Sequence, residues 1–177
     1  MRIVGGIYKG RTLVSFSGQD IRPTSDMVRE SLFNVLQFEI SGKTFLDLFC
    51  GTGAMGIEAL SRGASEVVLN DFSRESLAVA KKNVEKIANP KNLTIENKDA
   101  ITFLQKTDKK FDFVFIDPPY KTDLGERVLD IVSKVLTENG KAIFESERRC
   151  AFLPKGLKKI DERKYGRAIV TFFSKGE

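Results

Sequence analysis

Four consecutive residues, Asp117-Pro118-Pro119-Tyr120, combine an acid, two imino acids and a phenol ring at the end of an apolar run from Phe111 to Ile116. That run, Phe-Asp-Phe-Val-Phe-Ile, reads as a strand buried on both faces. The prolines lack N–H donors and cannot continue a ladder, and each restricts the residue before it to extended geometry. The result is a stiff corner that presents a carboxylate, open carbonyl oxygens and an aromatic face. Such a corner suits a flat ring bearing an exocyclic amine. The amine lone pair is delocalised into the ring, so it must be made more tetrahedral before it can attack. The Asp117 carboxylate and the Pro118 carbonyl could each accept one amine hydrogen, turning the lone pair toward an electrophile while Tyr120 stacks on the ring. The plainer reading of these residues is a proline-terminated strand with a solvated acid and a packing tyrosine, and the rest of the chain must decide between them.

The elements that would position this corner form an alternating series. Strand one, Thr44 to Phe49, runs into Cys50-Gly-Thr-Gly-Ala-Met-Gly56, and a helix follows from about Ala54 to Arg62. Strand two is Glu66 to Asp71; a helix capped by Ser73 then carries Leu77, Ala80, Val84 and Ile87 on one side. Strand three is Leu93 to Glu96, and Asp99 starts a short helix. The Phe111 strand comes fourth, followed by a helix from about Asp123 to Leu136 and a fifth strand from Lys141 to Glu145. Leu157 to Ile160 and Ala168 to Phe173 suggest an antiparallel terminal pair turning at Tyr165-Gly166-Arg167. The expected fold is α/β and Rossmann-like, with about seven mostly parallel strands and helices on both faces. Ahead of it, Arg2 to Val14 suggests a small β-hairpin, and Thr24 or Ser25 would cap a helix with Val28, Leu32, Val35 and Leu36 on its apolar face. We expect a single domain over residues 1–177, with residues 1–40 packed on it as an extension.

The loop after strand one contains Gly51, Gly53 and Gly56, a Gly-x-Gly-x-x-Gly pattern between a strand and a helix, where small residues let the backbone approach a cofactor. Asp71 lies 20 residues beyond Gly51, where a strand-two carboxylate can accept from ribose hydroxyls. A nucleoside-bearing cofactor follows, and NAD and S-adenosylmethionine both fit. Asp47 separates them: a carboxylate there offsets the ammonium of a methionine moiety but repels a pyrophosphate. Asp99 is placed to accept from an adenine amine, with the Ala100 N–H donating to the ring. Phe72 either packs on the adenine or lies in the core. Cys50 adjoins the glycine turn and Cys150 stands alone, so both read as packing or surface thiols rather than nucleophiles.

The chain has 177 residues, two cysteines and no histidine, which excludes the usual zinc spacings and histidine-based triads. No apolar run approaches the ~20 residues of a membrane span, and the N-terminus lacks a signal-peptide core, so a reduced, cytoplasmic setting is expected. The net charge is +5. From Arg148 to Arg167 there are eight basic residues against two acidic ones, an excess larger than that of the whole chain. A polyanionic partner is implied.

Together these residues resemble class I S-adenosylmethionine-dependent methyltransferases, and more narrowly the RsmD family of bacterial small-subunit ribosomal RNA guanine-N2 methyltransferases. The resemblance rests on Arg2-Ile-Val-Gly-Gly with Lys9-Gly-Arg11, on Arg22-Pro-Thr-Ser-Asp-Met-Val-Arg-Glu30 with Ser31-Leu-Phe33, on Phe45-Leu-Asp-Leu-Phe-Cys-Gly-Thr-Gly53, on Asp117-Pro-Pro-Tyr120 and on Lys164-Tyr-Gly166. Met27 departs from it, standing where a basic residue is expected. The resemblance implies that Asp47, Gly51, Gly53, Asp71 and Asp99 contact S-adenosylmethionine; we add Phe49, Thr52, Phe72, Ala100 and Thr24. It implies that Asp117, Pro118, Pro119 and Tyr120 hold a guanine of 16S rRNA in an assembled or assembling small subunit. Arg2, Lys9, Arg11, Arg22, Arg29, Arg148, Arg149, Lys164 and Arg167 are the expected RNA contacts, and the protein is expected to act as a monomer, with no metal and no membrane. A DNA adenine-N6 methyltransferase and a non-catalytic RNA-binding assembly factor are the alternatives, and a nicotinamide dehydrogenase is more distant.

Overall fold

The computed structural model describes residues 1–16, 23–119 and 122–176, and for residues 23–25 the backbone alone. Helix α1 is Pro23–Val35, α2 Ala54–Ser61, α3 Arg74–Glu85, α4 Ala100–Lys106 and α5 Leu124–Val132. The strands are β1 Thr44–Asp47, β2 Glu66–Asn70, β3 Leu93–Glu96, β4 Phe111–Ile116, β5 Leu136–Ser146, β6 Leu157–Tyr165 and β7 Ala168–Lys175. They form a seven-stranded sheet in the order β3-β2-β1-β4-β5-β7-β6. β1 to β5 are mutually parallel, and β7 runs antiparallel to both β5 and β6. The chain order reverses between β1 and β4, so their carboxyl ends open the crevice where a sheet of this kind binds ligands.

The middle residues of the central strands, Phe45 and Leu46 of β1 and Phe113 to Ile116 of β4, are apolar because both faces are covered. Phe45 of β1 and Phe113, Phe115 and Ile143 of β4 and β5 pack with residues of α1, α2 and α3. Leu46, Val114 and Ala142 pack on the other side with α4 and α5. Helix α1 docks through Leu32 and Phe33, both fully buried, and the Phe33 and Phe45 rings lie 6.0 Å apart. Each such side chain contributes roughly 1.5–3 kcal/mol.

Several boundaries differ from expectation. Helix α1 begins at Pro23, which fits the first helical position because its missing N–H is unneeded there, so Thr24 and Ser25 lie inside the first turn rather than capping it. The expected N-terminal hairpin reduces to one bridge, Arg2 with Thr12, around a turn-rich loop. Helix α5 gives way to a 3-10 turn at Ser133–Val135, and β5 starts at Leu136, which pairs with Phe111 before a register shift brings Lys141 opposite Phe113. β6 runs on to Tyr165 because an edge strand needs backbone pairing with β7, not an apolar face. Among the described residues no helix is long and apolar enough to cross a membrane.

Candidate active site

The turn after β1 is built by glycines with different tasks. Gly53 caps α2 in the left-handed region (φ 79°), which L side chains rarely adopt. At Gly56 a Cβ would come within 2.2 Å of Leu69 Cδ2, so the glycine lets α2 lie against β2. Beneath the turn Asp47, 1% exposed, accepts the Gly56 N–H at 3.0 Å. Burial pushes its carboxyl up to about 7; the Gly56 N–H pulls the other way, and the charges of Asp117 and Asp71 push it further up. Asp71 ties the second loop to the first, one oxygen accepting from Gly51 N–H at 2.9 Å and the other from Ser73 N–H at 2.8 Å.

A cavity of about 480 Å³ opens beside these turns. At one end it is lined by Phe49, Asp71, Phe72, Ser73, Asp99 and Ala100, and at the other by Asp117, Pro118, Pro119 and Leu124. Eight of the expected site residues therefore share one cavity. Asp47, Gly51, Thr52 and Gly53 do not line it; they shape the turn that forms its wall, so Asp47 acts from behind the backbone rather than as an open contact. Phe72 is 77% exposed, which removes the core alternative for it. Asp99 caps α4, one oxygen accepting from Thr102 N–H at 3.0 Å. Arg22 and Tyr120 lie outside the described residues, as does the side chain of Thr24.

Three functional residues were not read from the sequence. Asn70, 1% exposed, donates to the carbonyls of Leu48 and Lys98 at 3.1 and 3.0 Å and lines the cavity, while its Oδ1 is buried with no hydrogen-bond partner. Asn83, fully buried in α3, donates to the carbonyls of Thr52 and Val14 and accepts from Val14 N–H, tying the N-terminal segment to the glycine turn. Glu145 stands one residue before the end of β5, just past the Phe144–Ile116 pair, and partial burial together with the Asp117 charge pushes its carboxyl up to about 8. Asn83 stands one helical turn beyond Ala80 on the apolar side of its helix, a signal visible in the sequence. Glu145 has none short of the register.

Cys50 is 6% exposed and burial pushes its thiol up, which fits a packing role. Arg29 corrects an expectation: it is 2% exposed and cannot reach a phosphate. It donates to the Arg2 carbonyl at 2.7 Å and pairs with Asp26 and Glu58, and Glu58 in turn accepts from the N–H groups of Val4 and Gly5 and pairs with Arg62. Arg29 therefore fastens the N-terminal segment. The remaining basic residues fall into two groups. Lys9 and Arg11 belong to a segment that reaches the carboxyl ends of α2 and α3, with Ile7 N–H donating to Ser61 and Arg11 donating to the Lys86 carbonyl. Those ends lie roughly 12–18 Å below the cavity, given 1.5 Å of rise per helical residue. Lys164 and Arg167 are exposed at the β6–β7 turn; β6 runs parallel to β5, so this turn stands at the cavity's end of the sheet, where Arg148 and Arg149 are also exposed.

The strand order, the glycine turn and the cavity at the chain reversal define a class I methyltransferase fold. A family model described as Conserved hypothetical protein 95 matches residues 1–174. Ribosomal RNA small subunit methyltransferase D of Escherichia coli (strain K12) is 37% identical over 142 residues, covering 79% of this chain and 68% of the relative. The solved structure of yhhF from Escherichia coli has a TM-score of 0.87 at 29% identity, covering 100% of this chain and 98% of that one. SMU.776, solved as a complex with SAH, shares the fold at a TM-score of 0.68 and 19% identity, over 85% of this chain and 49% of its own. The chain belongs to the RsmD family of methyltransferases.

Proposed function

We propose that this protein transfers a methyl group from S-adenosylmethionine to the exocyclic N2 of a guanine in 16S rRNA, within an assembled or assembling small ribosomal subunit and in the cytoplasm. The observation that carries the reading is the single cavity, with Asp71, Phe72 and Asp99 at one end and Asp117-Pro118-Pro119 at the other. One end suits a nucleoside and the other an amine-bearing base, so donor and acceptor would meet in one space. The residues fit the cofactor: acids front a molecule carrying an ammonium and a sulfonium, Phe72 offers an exposed ring to the adenine, and the orphaned Asn70 Oδ1 offers an acceptor.

When bound, S-adenosylmethionine supplies an electrophilic methyl group on a sulfonium. The chain's own residues hold and orient the base. The Asp117 carboxylate and Pro118 carbonyl accept the two N2 hydrogens and turn the nitrogen lone pair out of the ring plane, and Tyr120 stacks on the base. On taking up the methyl group the N2 nitrogen would become cationic, and Asp117, which already holds one of its hydrogens, would accept the surplus proton. Correct placement of this kind supplies much of the rate. The guanine must be single-stranded or flipped out, since its amine is unreachable in a stacked helix. Lys164, Arg167, Arg148 and Arg149 would hold phosphates beside the cavity, with Arg2, Lys9 and Arg11 reaching RNA farther away. The protein acts as a monomer in this reading.

Offering labelled S-adenosylmethionine with unmodified small subunits, naked rRNA or duplex DNA tests the reading. Label recovered as N2-methylguanine from rRNA is the expected result. Label recovered as N6-methyladenine from DNA alone would replace it with the adenine reading, and cofactor binding without any transfer would leave an assembly factor.

A further inference from the structure

Asn97 stands in the loop between β3 and α4, exposed to solvent, and it neither packs in the core nor lines the cavity. Its side-chain Nδ2 nevertheless donates to two backbone carbonyls of the facing loop, Asp71 at 2.8 Å and Phe72 at 2.9 Å. The β2–β3 ladder ends just before this point, with Asn70 opposite Glu96 and the Asp71 N–H donating to the Glu96 carbonyl at 3.2 Å. Asn97 thus carries the link between the two strands one residue farther, where the backbone no longer pairs. From the buried side Asn70 fastens the same loop, its Nδ2 donating to the carbonyls of Lys98 at 3.0 Å and Leu48 at 3.1 Å. Asp99, which caps α4 and lines the cavity, follows at once. The loop after β3 is held on both sides, and Asn97 ties it to the residue that carries the exposed ring.

The Phe72 ring is 77% exposed and belongs to neither apolar cluster of the core, so its position is set by the backbone that bears it. Around that backbone the Asp71 carboxylate accepts from the N–H groups of Gly51 and Ser73, and the Phe72 carbonyl accepts from Asn97. We propose that Asn97 is a positioning residue for the cofactor: by holding the Phe72 carbonyl it sets the ring against the adenine and fixes the spacing between Phe72 and Asp99. This rests on the reading of that end of the cavity as the place of the adenosine of S-adenosylmethionine. The advantage is preorganisation. A loop already in its bound arrangement need not be ordered when the ligand arrives, so less of the interaction is spent on lost chain freedom. A hydrogen bond between neutral groups shifts an equilibrium by roughly two- to tenfold, and Asn97 makes two of them across the gap between the loops.

The test is a double-mutant cycle read by calorimetric titration with S-adenosylhomocysteine, at a temperature where thermal melts show every variant folded. Both residues are exposed, so their truncation leaves the core intact. Asn97→Ala is expected to weaken binding at least fivefold, and Phe72→Ala at least tenfold. Asn97→Asp keeps the size of the side chain but cannot donate to a carbonyl, and it is expected to lose at least as much as Asn97→Ala. In the double variant, Phe72→Ala with Asn97→Ala, the loss is expected to stay within threefold of that of Phe72→Ala alone, because Asn97 acts through the ring. A residue that merely supported the fold would not show that coupling. A loss below fivefold in either Asn97 variant, a loss below tenfold in Phe72→Ala, or a double variant more than threefold weaker than Phe72→Ala overturns the proposal. Failure of the wild type to bind S-adenosylhomocysteine at all overturns the underlying reading of the cavity, and the proposal with it.

Discussion

Asp47 and Glu145 are both held above the ordinary carboxylate range, to about 7 and about 8, by burial and by neighbouring acids. A carboxyl whose pKa is raised by folding binds its proton more tightly in the folded state. Its contribution is therefore fully present below pH 4 and is lost as pH rises toward 7 for Asp47 and 8 for Glu145. Asp47→Asn keeps an oxygen to accept the Gly56 N–H but cannot ionise. The cofactor-free protein should lose stability between pH 5 and pH 8, by about 1–3 kcal/mol more in wild type than in Asp47→Asn. Thermal melts at both pH values would measure this, and parallel losses in the two proteins would contradict it. A bound cation should act in the opposite sense, favouring the ionised acid. Cofactor affinity should therefore rise with pH through about 7 in wild type and rise less in Asp47→Asn, as calorimetry would show.

The N-terminal segment is fastened by one carboxylate. Glu58 accepts from Val4 and Gly5 at 2.9 and 2.8 Å and holds Arg29 and Arg62, while Asn83 secures the same segment farther along at Val14. Glu58→Gln would leave the 2%-exposed Arg29 charge in the interior with Asp26 as its remaining acid, and removing one partner of such a buried pair costs roughly 3–5 kcal/mol. Urea denaturation should show that loss, with early proteolysis near residues 1–13; a change below 1 kcal/mol would mean that the clasp is dispensable. How legible such features were depends on their physical origin. β1 and β4 were plain because a strand covered on both faces must be apolar, and the glycine turn because its backbone allows few residues. β6 was cut short at Ile160 because an edge strand exposes charged side chains such as Lys158 and Arg163. Arg29 was read as an RNA contact although it precedes Leu32 by three and Leu36 by seven residues, on the apolar stripe of α1. The influence of Asp117 on Glu145 depends on strand register, which no local pattern encodes.

Across the whole molecule, charge is divided between two places. The β6–β7 turn with Lys164 and Arg167 stands at the cavity's end of the sheet, while Lys9 and Arg11 sit with the far ends of α2 and α3. Reversing both Lys164 and Arg167 to glutamate should weaken binding of a short RNA carrying the target guanine. It should also reduce the slope of log affinity against log salt by about 1.4, the value for two lost phosphate contacts on a single strand. The same reversal at Lys9 and Arg11 should change that slope by less than half as much. Equal effects on the short RNA would mean that the strand runs over both surfaces. The measurement that bears most directly on the central claim compares wild type with Asp117→Ala. Each is incubated with S-adenosylmethionine and unmodified small-subunit rRNA, and the digested nucleosides are analysed by mass spectrometry. The account predicts N2-methylguanine with wild type and at least a hundredfold slower formation with Asp117→Ala, while cofactor binding stays within a few fold, as befits loss of an orienting acceptor. N2-methylguanine formed at an undiminished rate by Asp117→Ala would contradict it, and would move the chemistry away from the corner at the end of β4.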